Sequence, residues 1–290
     1  MQRLTRLAAG FVLAAWSHGV VADAWIESFA GEADGYRITR GSEPVRAAIL
    51  ATLQPGDVID VVAPSGEIVL VYQTGENVEI RSGDAPHTVR GTTEAPSAFQ
   101  NLMRWSMETI KGWYEKDYEM TTAAGVNTRS TVSQITFPLF RGEGSWVAAR
   151  PTLEFAWNGG LPPYKVQLQR IDDIVPPLRF DASGTTLTLD DLPAGDYVLT
   201  VDDGWRRGSA KFAVVGAERI PAAPVDGGAA SDRIHQVIEA MWLAQYEQGG
   251  YTLEAYQRLN ALDADYPPVE VAKNALLRGL SPQEPSAGAN

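Results

Sequence analysis

The sequence predicts a mainly β protein with α-helical segments, built from small modules in series. Short apolar runs alternate with Gly-, Pro- and Asp-containing turns over residues 25–92 and again over 135–216, as in antiparallel β domains. Apolar residues instead recur with the i, i+3, i+4 spacing of one helix face over 96–120 and 231–280. We therefore expect a β domain, a helical connector, a second β domain and a C-terminal helical hairpin.

The first 24 residues have the three parts of a secretory signal peptide. Arg3 and Arg6 give a positive start, residues 7–16 are uncharged, and Ala-Asp-Ala at 22–24 offers signal peptidase the small residues that it requires. A membrane-spanning helix needs roughly 20 apolar residues, and neither this segment nor any later one is that long. We expect cleavage after Ala24 and a periplasmic or secreted protein without a membrane span; a retained anchor is the alternative.

The charge balance excludes several classes of partner. Asp and Glu outnumber Lys and Arg by 36 to 24, which gives a formal net charge of −12 at pH 7. Phosphate backbones and anionic lipid surfaces attract clustered Lys and Arg, so nucleic acid and anionic membranes are not expected as partners. The chain has no cysteine, which excludes disulfides, thiolate nucleophiles and zinc–thiolate sites.

The first β domain, residues 25–92, contains a short motif in a defined order of strands. Arg40-Gly41 precedes residues 53–60 (LQPGDVID), and the strand candidates 67–72 and 78–80 follow, with a turn at Gly75 between them. This order resembles the FecR-type β domain of bacterial envelope sensor proteins. The resemblance covers residues 35–91, which is about a fifth of the chain.

The resemblance implies a role as well as a fold. FecR-like proteins of the bacterial envelope sense or relay signals, often through contacts with other proteins, so the expected partner is another envelope protein. Sensors of this kind that cross the inner membrane carry a spanning helix and a cytoplasmic segment, and neither is expected here once a signal peptide is removed. Any signal is therefore expected to pass through a second protein.

The helical connector and its linker are predicted over residues 96–134. Pro96 and Ser97 are typical of a helix start, and the small and polar residues 121–134 are typical of a linker. Trp113 and Tyr114 belong to the partly periodic apolar side of this helix. They are expected either to pack on a β domain or to form an exposed binding surface.

The second β domain, residues 135–216, has features of an immunoglobulin-like sandwich. Residues 192–197 (LPAGDY) resemble the tyrosine-corner turn of fibronectin type III and related sandwiches, in which a tyrosine hydroxyl bonds to backbone just upstream. Trp157 ends a strand candidate and is expected to plug the core. The strand candidates are 136–140, 152–157, 164–170, 185–189, 196–202 and 209–215.

The C-terminal part is predicted to be helical between two flexible segments. Residues 217–230 are a Pro-, Gly- and Ala-rich linker, and 281–290 are expected to be a disordered tail. The helical pattern over 231–280 is interrupted at Gly249-Gly250 and again at Pro267-Pro268, after which a third helix is expected to end at Gly279. The first two helices resemble one tetratricopeptide-like hairpin. Such repeats need about three copies to stand alone, so we expect these helices to pack on the sandwich or on a partner.

No constellation of residues predicts a catalytic centre or a cofactor. His87 and His235 fall in different modules, and a Ser-His-Asp unit requires a histidine within reach of a serine. Ser209 and Lys211 share one side of a predicted strand, where a Ser/Lys dyad is conceivable. A solvated strand face is the simpler interpretation of these two residues.

Two acidic pairs in loops are the remaining candidates for chemistry. Asp190-Asp191 and Asp202-Asp203 carry oxygens of the kind that Ca²⁺ prefers, but two adjacent acids fall short of its roughly six to eight oxygen ligands. Paired carboxylates can also hydrolyse glycosidic bonds, although acidic loops are expected anyway at this net charge. We therefore expect no metal site.

Two surfaces are candidates for recognition. The first is Trp205 with Arg206 and Arg207, at a predicted hairpin tip of the sandwich, because Trp and Arg most often carry interface energy. The alternative is that Trp205 folds back on its own strands. The second surface is Trp113 with Tyr114.

The sequence thus favours a non-enzymatic envelope protein that acts by protein contact as a signal relay or scaffold. The alternatives are a carbohydrate- or peptidoglycan-binding module and, second, a hydrolase with an unrecognised carboxylate site.

Overall fold

The computed structural model confirms the predicted mainly β fold with α-helices. Its described residues are 24–84, 86–91, 97–123, 133–141, 144–171, 174–224, 232–262 and 264–282, with backbone alone at 117–123 and 232. The predicted signal peptide up to residue 23, most of the linker predicted at 121–134 and the tail predicted from 283 onward lie outside these ranges.

The first β domain consists of two antiparallel sheets. Its strands are β1 Ala24–Phe29, β2 Tyr36–Arg40, β3 Glu43–Val45, β4 Thr52–Leu53, β5 Val58–Val61, β6 Glu67–Tyr72, β7 Asn77–Arg81 and β8 His87–Thr88. One sheet has the order β4-β1-β6-β7 and the other β3-β2-β5-β8. Alternate side chains meet between the sheets, as the two-residue period of a strand requires, and Ile26, Ile38, Ile59 and Leu70 are among them.

The helices form one group that covers the first β domain. They are α1 Ala98–Ala123, α2 Asp232–Gly249, α3 Thr252–Asn260 and α4 Pro267–Leu277. Helix α1 packs against α2 and α4, although the second β domain lies between them in the sequence. Trp25 of β1 is fully buried in the core that contains these helices, whereas its neighbours Ala24 and Ile26 face the interior of the β domain.

This packing joins the predicted helical connector to the predicted C-terminal helices. The apolar face of α1, with Phe99, Met103 and Ile110, is buried in the same core as the C-terminal helices. Three helices follow the sandwich, and the third begins at Pro267, where two prolines interrupt the helical pattern. The spacing of apolar residues describes each helix face by itself, and only tertiary packing shows that α1 and the C-terminal helices share one core.

Two glycines allow the chain to turn tightly between α2 and α3. Residues 246–248 already leave helical geometry, and Gly249 has φ +89°, which favours glycine. A Cβ atom at Gly250 would lie 2.9 Å from the ring of Trp146 in the second β domain. The predicted interruption at these glycines is therefore present, and it brings the turn directly onto the sandwich.

The second β domain is an immunoglobulin-like β-sandwich. Its strands are β9 Trp146–Ala148, β10 Thr152–Ala156, β11 Tyr164–Arg170, β12 Leu178–Ala182, β13 Thr186–Asp190, β14 Gly195–Asp202 and β15 Arg207–Val215. A five-stranded sheet has the order β12-β11-β14-β15-β9, and β10 pairs with β13. The sheets meet through a buried core in which the rings of Phe155 and Phe212 lie 5.0 Å apart, centre to centre.

Both sequence features of the sandwich are present. The hydroxyl of Tyr197 donates a 2.8 Å hydrogen bond to the carbonyl oxygen of Pro193, which is the tyrosine-corner contact. Trp157 is buried and meets the ring of Tyr164 edge to face.

Three strand assignments differ from the prediction. The candidate at 136–140 makes only an isolated bridge at Thr136. Strands β9 and β12 are absent from the prediction, because β9 is three residues long and β12 is an edge strand whose residues are largely exposed.

Buried polar side chains join helix α3 to the sandwich. The amide of Gln257 accepts a hydrogen bond from the N–H of Glu154 at 3.1 Å and donates one to its carbonyl oxygen at 2.6 Å, as a neighbouring strand would. Glu254 is 1% exposed and accepts hydrogen bonds from the guanidinium groups of Arg150 and Arg258. These bonds fix the position of the sandwich against the helices.

None of the helices in the described part of the chain combines the length and the apolar character that crossing a bilayer requires.

Candidate functional site

The hairpin between β14 and β15 ends in the Trp205 tip, which we define as residues 202–207. Asp203 organises this tip from within. Its Oδ1 accepts hydrogen bonds from the N–H groups of Trp205 at 2.9 Å and Arg206 at 2.6 Å. Its Oδ2 accepts another from the N–H of Leu161 at 3.0 Å, which ties the tip to the loop before β11.

Asp202 supports the tip from the strand side. Its Oδ1 accepts a hydrogen bond from the N–H of Gly204 at 2.7 Å, and Gly204 has φ +87°, where a side chain would be strained. Its Oδ2 accepts two hydrogen bonds from Arg207, at 2.9 Å from Nε and 2.7 Å from Nη2. The two adjacent acids therefore serve the turn itself, because aspartate side chains readily bond to backbone two residues on.

These bonds stabilise the ionised form of both acids. The N–H of Trp205 lowers the pKa of Asp203 most, burial opposes it, and the N–H groups of Arg206 and Leu161 add to the lowering. The N–H of Gly204 and then the guanidinium of Arg207 lower the pKa of Asp202. Both carboxylates therefore remain ionised above the ordinary aspartate value of 3.8.

Trp205 protrudes from this fixed turn into solvent. It lies at a hairpin tip, where the sequence predicts it, and 92% of its surface is exposed, so the indole does not fold back onto its strands. Leu161, which Asp203 holds beside the tip, is 53% exposed. Pro162 and Pro163 follow it and are exposed as well. The end of the sandwich thus presents apolar side chains on a backbone that its own acids keep in place.

The charges at the tip cancel. Arg207 is paired with Asp202, and Nη1 of Arg206 lies 3.7 Å from Oδ2 of Asp203. The tip is therefore electrically neutral on a chain whose net charge is −12. A partner that carries negative charge meets less repulsion here than it would at an acidic part of the surface.

The second predicted surface does not reach solvent as a unit. Trp113 is 5% exposed and lies in the core shared by the helices. Tyr114 is half-buried and packs against the same core. Of the two interpretations that the sequence allowed, packing on neighbouring elements is the one observed for Trp113, and we no longer consider it a candidate contact residue.

The two histidines considered for catalysis do not come together. The Nε2 of His87 lies 3.1 Å from the hydroxyl of Tyr72 in the first β domain, whereas the ring of His235 lies 4.7 Å from that of Phe99 in the helical group, tilted by 37°. Ser209 is exposed, and its hydroxyl lies 3.0 Å from that of Thr200 on the neighbouring strand. Among the residues that the structure describes, no three His, Asp or Glu side chains are grouped so as to hold a metal ion.

A polar cleft between the first β domain and the helices is a feature that sequence reasoning missed. It has a volume of about 400 Å³, and Glu27, Arg233, Asp265 and Tyr266 contribute to its lining. Glu27 is 7% exposed, Tyr266 is buried, and the guanidinium of Arg233 lies 5.0 Å from the Tyr266 ring centre. The one available signal is the single acid within the apolar stretch of β1, Ala24–Phe29.

Burial raises the pKa of Glu27, while a hydrogen bond with Tyr266 and the charge of Arg233 act in the opposite direction. Burial also raises the pKa of Tyr266, so this tyrosine stays neutral beside the carboxyl group.

No protein-family model matches the chain, and no curated protein matches it. Among solved structures, the chain is similar to the PKD domain from human KIAA0319, with 17% sequence identity and a TM-score of 0.21. That similarity covers 36% of this chain and 100% of the PKD chain.

Proposed function

We propose that this protein is an exported, non-enzymatic component of the bacterial cell envelope that binds another envelope protein through the Trp205 tip. The observation that carries the proposal is the 92% exposed Trp205 on a turn whose backbone Asp203 holds in place. Tryptophan is the residue type most enriched among those that dominate binding energy. A preformed turn loses little conformational entropy when it binds.

The shape of the tip favours a protein partner over a glycan. Aromatic residues that bind sugar chains are expected in a groove, where several of them can stack on successive rings. Trp205 instead protrudes alone beside Leu161, Pro162 and Pro163. A protruding apolar side chain of this kind fits an apolar pocket on a partner, as interface anchors do.

The remaining modules support a relay or scaffold role. We assign the first β domain to the FecR-like type, because its strand order contains the Arg-Gly and Gly-Asp features of that family in sequence. We assign α2 and α3 to a tetratricopeptide-like hairpin that packs on the sandwich. Localisation in the periplasm or outside the cell follows from the predicted signal peptide and completes the proposal.

Affinity capture from the source organism's envelope extract tests the proposal. The purified protein and its Trp205→Ala/Arg206→Ala double variant are compared, and bound proteins and glycans are both identified. We expect one protein that the wild type retains and the double variant loses. Once that protein is purified, Trp205→Ala alone is expected to raise the Kd by about 10- to 100-fold. This is the affinity lost when the indole no longer buries its apolar surface in the partner's pocket.

Two further variants serve as matched comparisons. Leu161→Ala, beside the tip, is expected to weaken binding less than Trp205→Ala, because Leu161 is only about half exposed. Val62→Ala changes an equally exposed aliphatic residue of the other β domain and is expected to leave binding unchanged. Equal binding by wild type and double variant overturns the assignment of the tip. Enrichment of a glycan without any protein favours the carbohydrate-binding alternative.

A further inference from the structure

Strand β12 forms one edge of the five-stranded sheet. Strand β12 pairs with β11 on one side, and no other described strand pairs with its second side. The backbone N–H and C=O groups along such an edge can hydrogen-bond to an added strand.

Three of the exposed aliphatic residues of the sandwich lie in β12 or in the segment that leads into it. Leu178 is 55% exposed, Val175 62%, and Ile174 has its whole surface in solvent. Phe180, in the middle of β12, is half-buried against the sandwich core. Exposed apolar side chains therefore lie in the segment before β12 and within β12 itself. This arrangement is expected where another chain packs.

The two sides of β12 differ in chemistry. Leu178, Phe180 and Ala182 pair with the buried side of β11 and face the sandwich interior. Arg179 and Asp181 alternate with them and face solvent. The strand thus carries one positive and one negative charge on a single face, two residues apart, on either side of Phe180.

We propose that the occupant of this edge is a second copy of the chain, bound by antiparallel pairing of β12 with itself about a two-fold axis at Phe180. In that register Arg179 lies opposite Asp181 of the second copy, and Asp181 lies opposite its Arg179. Phe180 meets Phe180 of the second copy, and Leu178 meets Ala182. Opposite charges and aromatic pairs directly across an antiparallel ladder are stabilising. The pairing joins the two five-stranded sheets into one continuous sheet.

The charges select this register over its neighbours. A two-fold axis at Arg179 would place two arginines opposite each other, and an axis at Asp181 would do the same with two aspartates. Like charges directly opposite destabilise a strand pair. A self-complementary surface that contacts itself around a two-fold axis is the commonest way in which identical chains associate.

The charges of Arg179 and Asp181 are available for pairing with a second copy of the chain. The side chain of Arg179 forms no ion pair or hydrogen bond with any of the residues that the structure describes. Asp181 pairs with Lys165, but both side chains are about 70% exposed or more, and such exposed pairs contribute little. Asp181 can therefore interact with an arginine of a second copy without losing a strong partner.

Sedimentation equilibrium over a concentration series tests the proposal. We expect reversible monomer–dimer behaviour of the purified protein. Arg179→Asp and Asp181→Arg, each alone, replace both attractive cross-strand pairs by repulsive ones and are expected to weaken the dimer ~10-fold or more. An equimolar mixture of the two variants restores attraction in both pairs, so a heterodimer is expected to form.

The control is Lys211→Asp, which makes the same charge change on an exposed residue of β15, a strand that is not at the sheet edge. It is expected to leave self-association unchanged. A wild type that is monomeric up to its solubility limit overturns the proposal. A mixture of the two charge variants that stays monomeric also overturns it. So does a Lys211→Asp variant that self-associates as weakly as Arg179→Asp.

The register has a separate test because the chain has no cysteine. Phe180→Cys places two thiols directly opposite each other at the two-fold axis, at a Cα separation within the range that a disulfide spans. Leu178→Cys places its thiols two positions to either side of the axis, which is too far. Rapid oxidation to a dimer with Phe180→Cys but not with Leu178→Cys supports the register. The reverse result, or equal oxidation of both variants, overturns it.

Discussion

The guanidinium group of Arg40 binds the carboxylate of Asp57 at two points, with Nε 3.0 Å from Oδ1 and Nη2 2.8 Å from Oδ2. Asp57 also accepts a hydrogen bond from the N–H of Gln54 at 2.8 Å, and its side chain is 1% exposed. These are the Arg of the Arg-Gly pair and the Asp of the Gly-Asp pair, the two parts of the motif at residues 40–60. The motif is therefore held together by a half-buried ion pair that joins β2 to the turn before β5.

Asp57→Asn is expected to lower the free energy of unfolding by about 1–3 kcal/mol, because Arg40 and the N–H of Gln54 lose a charged acceptor. Denaturant unfolding measures the change. Asp60→Asn is the matched control, since Asp60 pairs with Arg37 at an exposed site 3.5 Å away and such pairs contribute only about 0–1 kcal/mol. Equal losses of unfolding free energy in the two variants would show that the Arg40–Asp57 pair stabilises the protein no more than an exposed pair does.

The same pair predicts an acid dependence of stability. Burial raises the pKa of Asp57, but the hydrogen bonds from Arg40 and Gln54 and the charge of Arg40 outweigh it, so the pKa is lowered in the folded state. The stabilisation is present above the ordinary value of 3.8 and is lost as the pH falls through the lowered pKa. The difference in stability between wild type and Asp57→Asn should therefore shrink as the pH is taken below 3.8. A difference that stays constant there would contradict this origin.

The contribution of Glu27 to stability is expected to depend on pH in the opposite direction to that of Asp57. Its pKa is raised in the folded state, chiefly by burial, so its contribution to stability is complete below the ordinary value of 4.5 and is lost as the pH rises through the raised pKa. Glu27→Gln should therefore stabilise the protein at neutral pH while keeping an oxygen for Tyr266. Thermal unfolding at pH 7 is expected to show a higher Tm. Asp265→Asn, an exposed acid of the same cleft, should give no such increase.

Asp203→Ala is expected to loosen the Trp205 tip without unfolding the sandwich. Three backbone N–H groups lose their acceptor, at about 1 kcal/mol each. Hydrogen exchange should accelerate by roughly tenfold at Trp205, Arg206 and Leu161. Asp190→Ala, which removes an exposed acid at the end of β13, should leave those rates unchanged. Protection that persists at Trp205 and Arg206 would mean that the turn holds its shape without Asp203.

Glu254→Gln is expected to destabilise the protein by about 3–5 kcal/mol, because one partner of a buried charge cluster is removed while Arg150 and Arg258 remain. Glu239→Gln is the control. Glu239 also pairs with Arg258, but 38% of its side chain is exposed, and a change of about 0–1 kcal/mol is expected. Denaturant unfolding of both variants measures the difference. A small effect of Glu254→Gln would mean that apolar packing and the hydrogen bonds of Gln257 hold α3 to the sandwich without the charge cluster.

Local patterns were sufficient for much of the fold. The turn before β5, the tyrosine corner of Tyr197, the buried Trp157 and the hairpin tip at Trp205 each depend on residues close in sequence or on a strong local conformational preference. Periodicity identified most strands of the sandwich for the same reason. Strand β12 escaped prediction because an exposed edge strand lacks the burial that creates a clear alternation of apolar and polar residues.

By itself, then, the sequence determined the mainly β architecture, the turns and the position of Trp205 at a hairpin tip, because these follow from local spacing and backbone preference. Only the tertiary structure decided that Trp113 is buried, that α1 joins the C-terminal helices, and that Glu27 meets Tyr266 across a cleft. Each of these depends on contacts between residues far apart in the chain, and the periodicity of a helix or strand does not say which surface covers its apolar face. The open edge of β12 likewise exists only once the order of the strands is known.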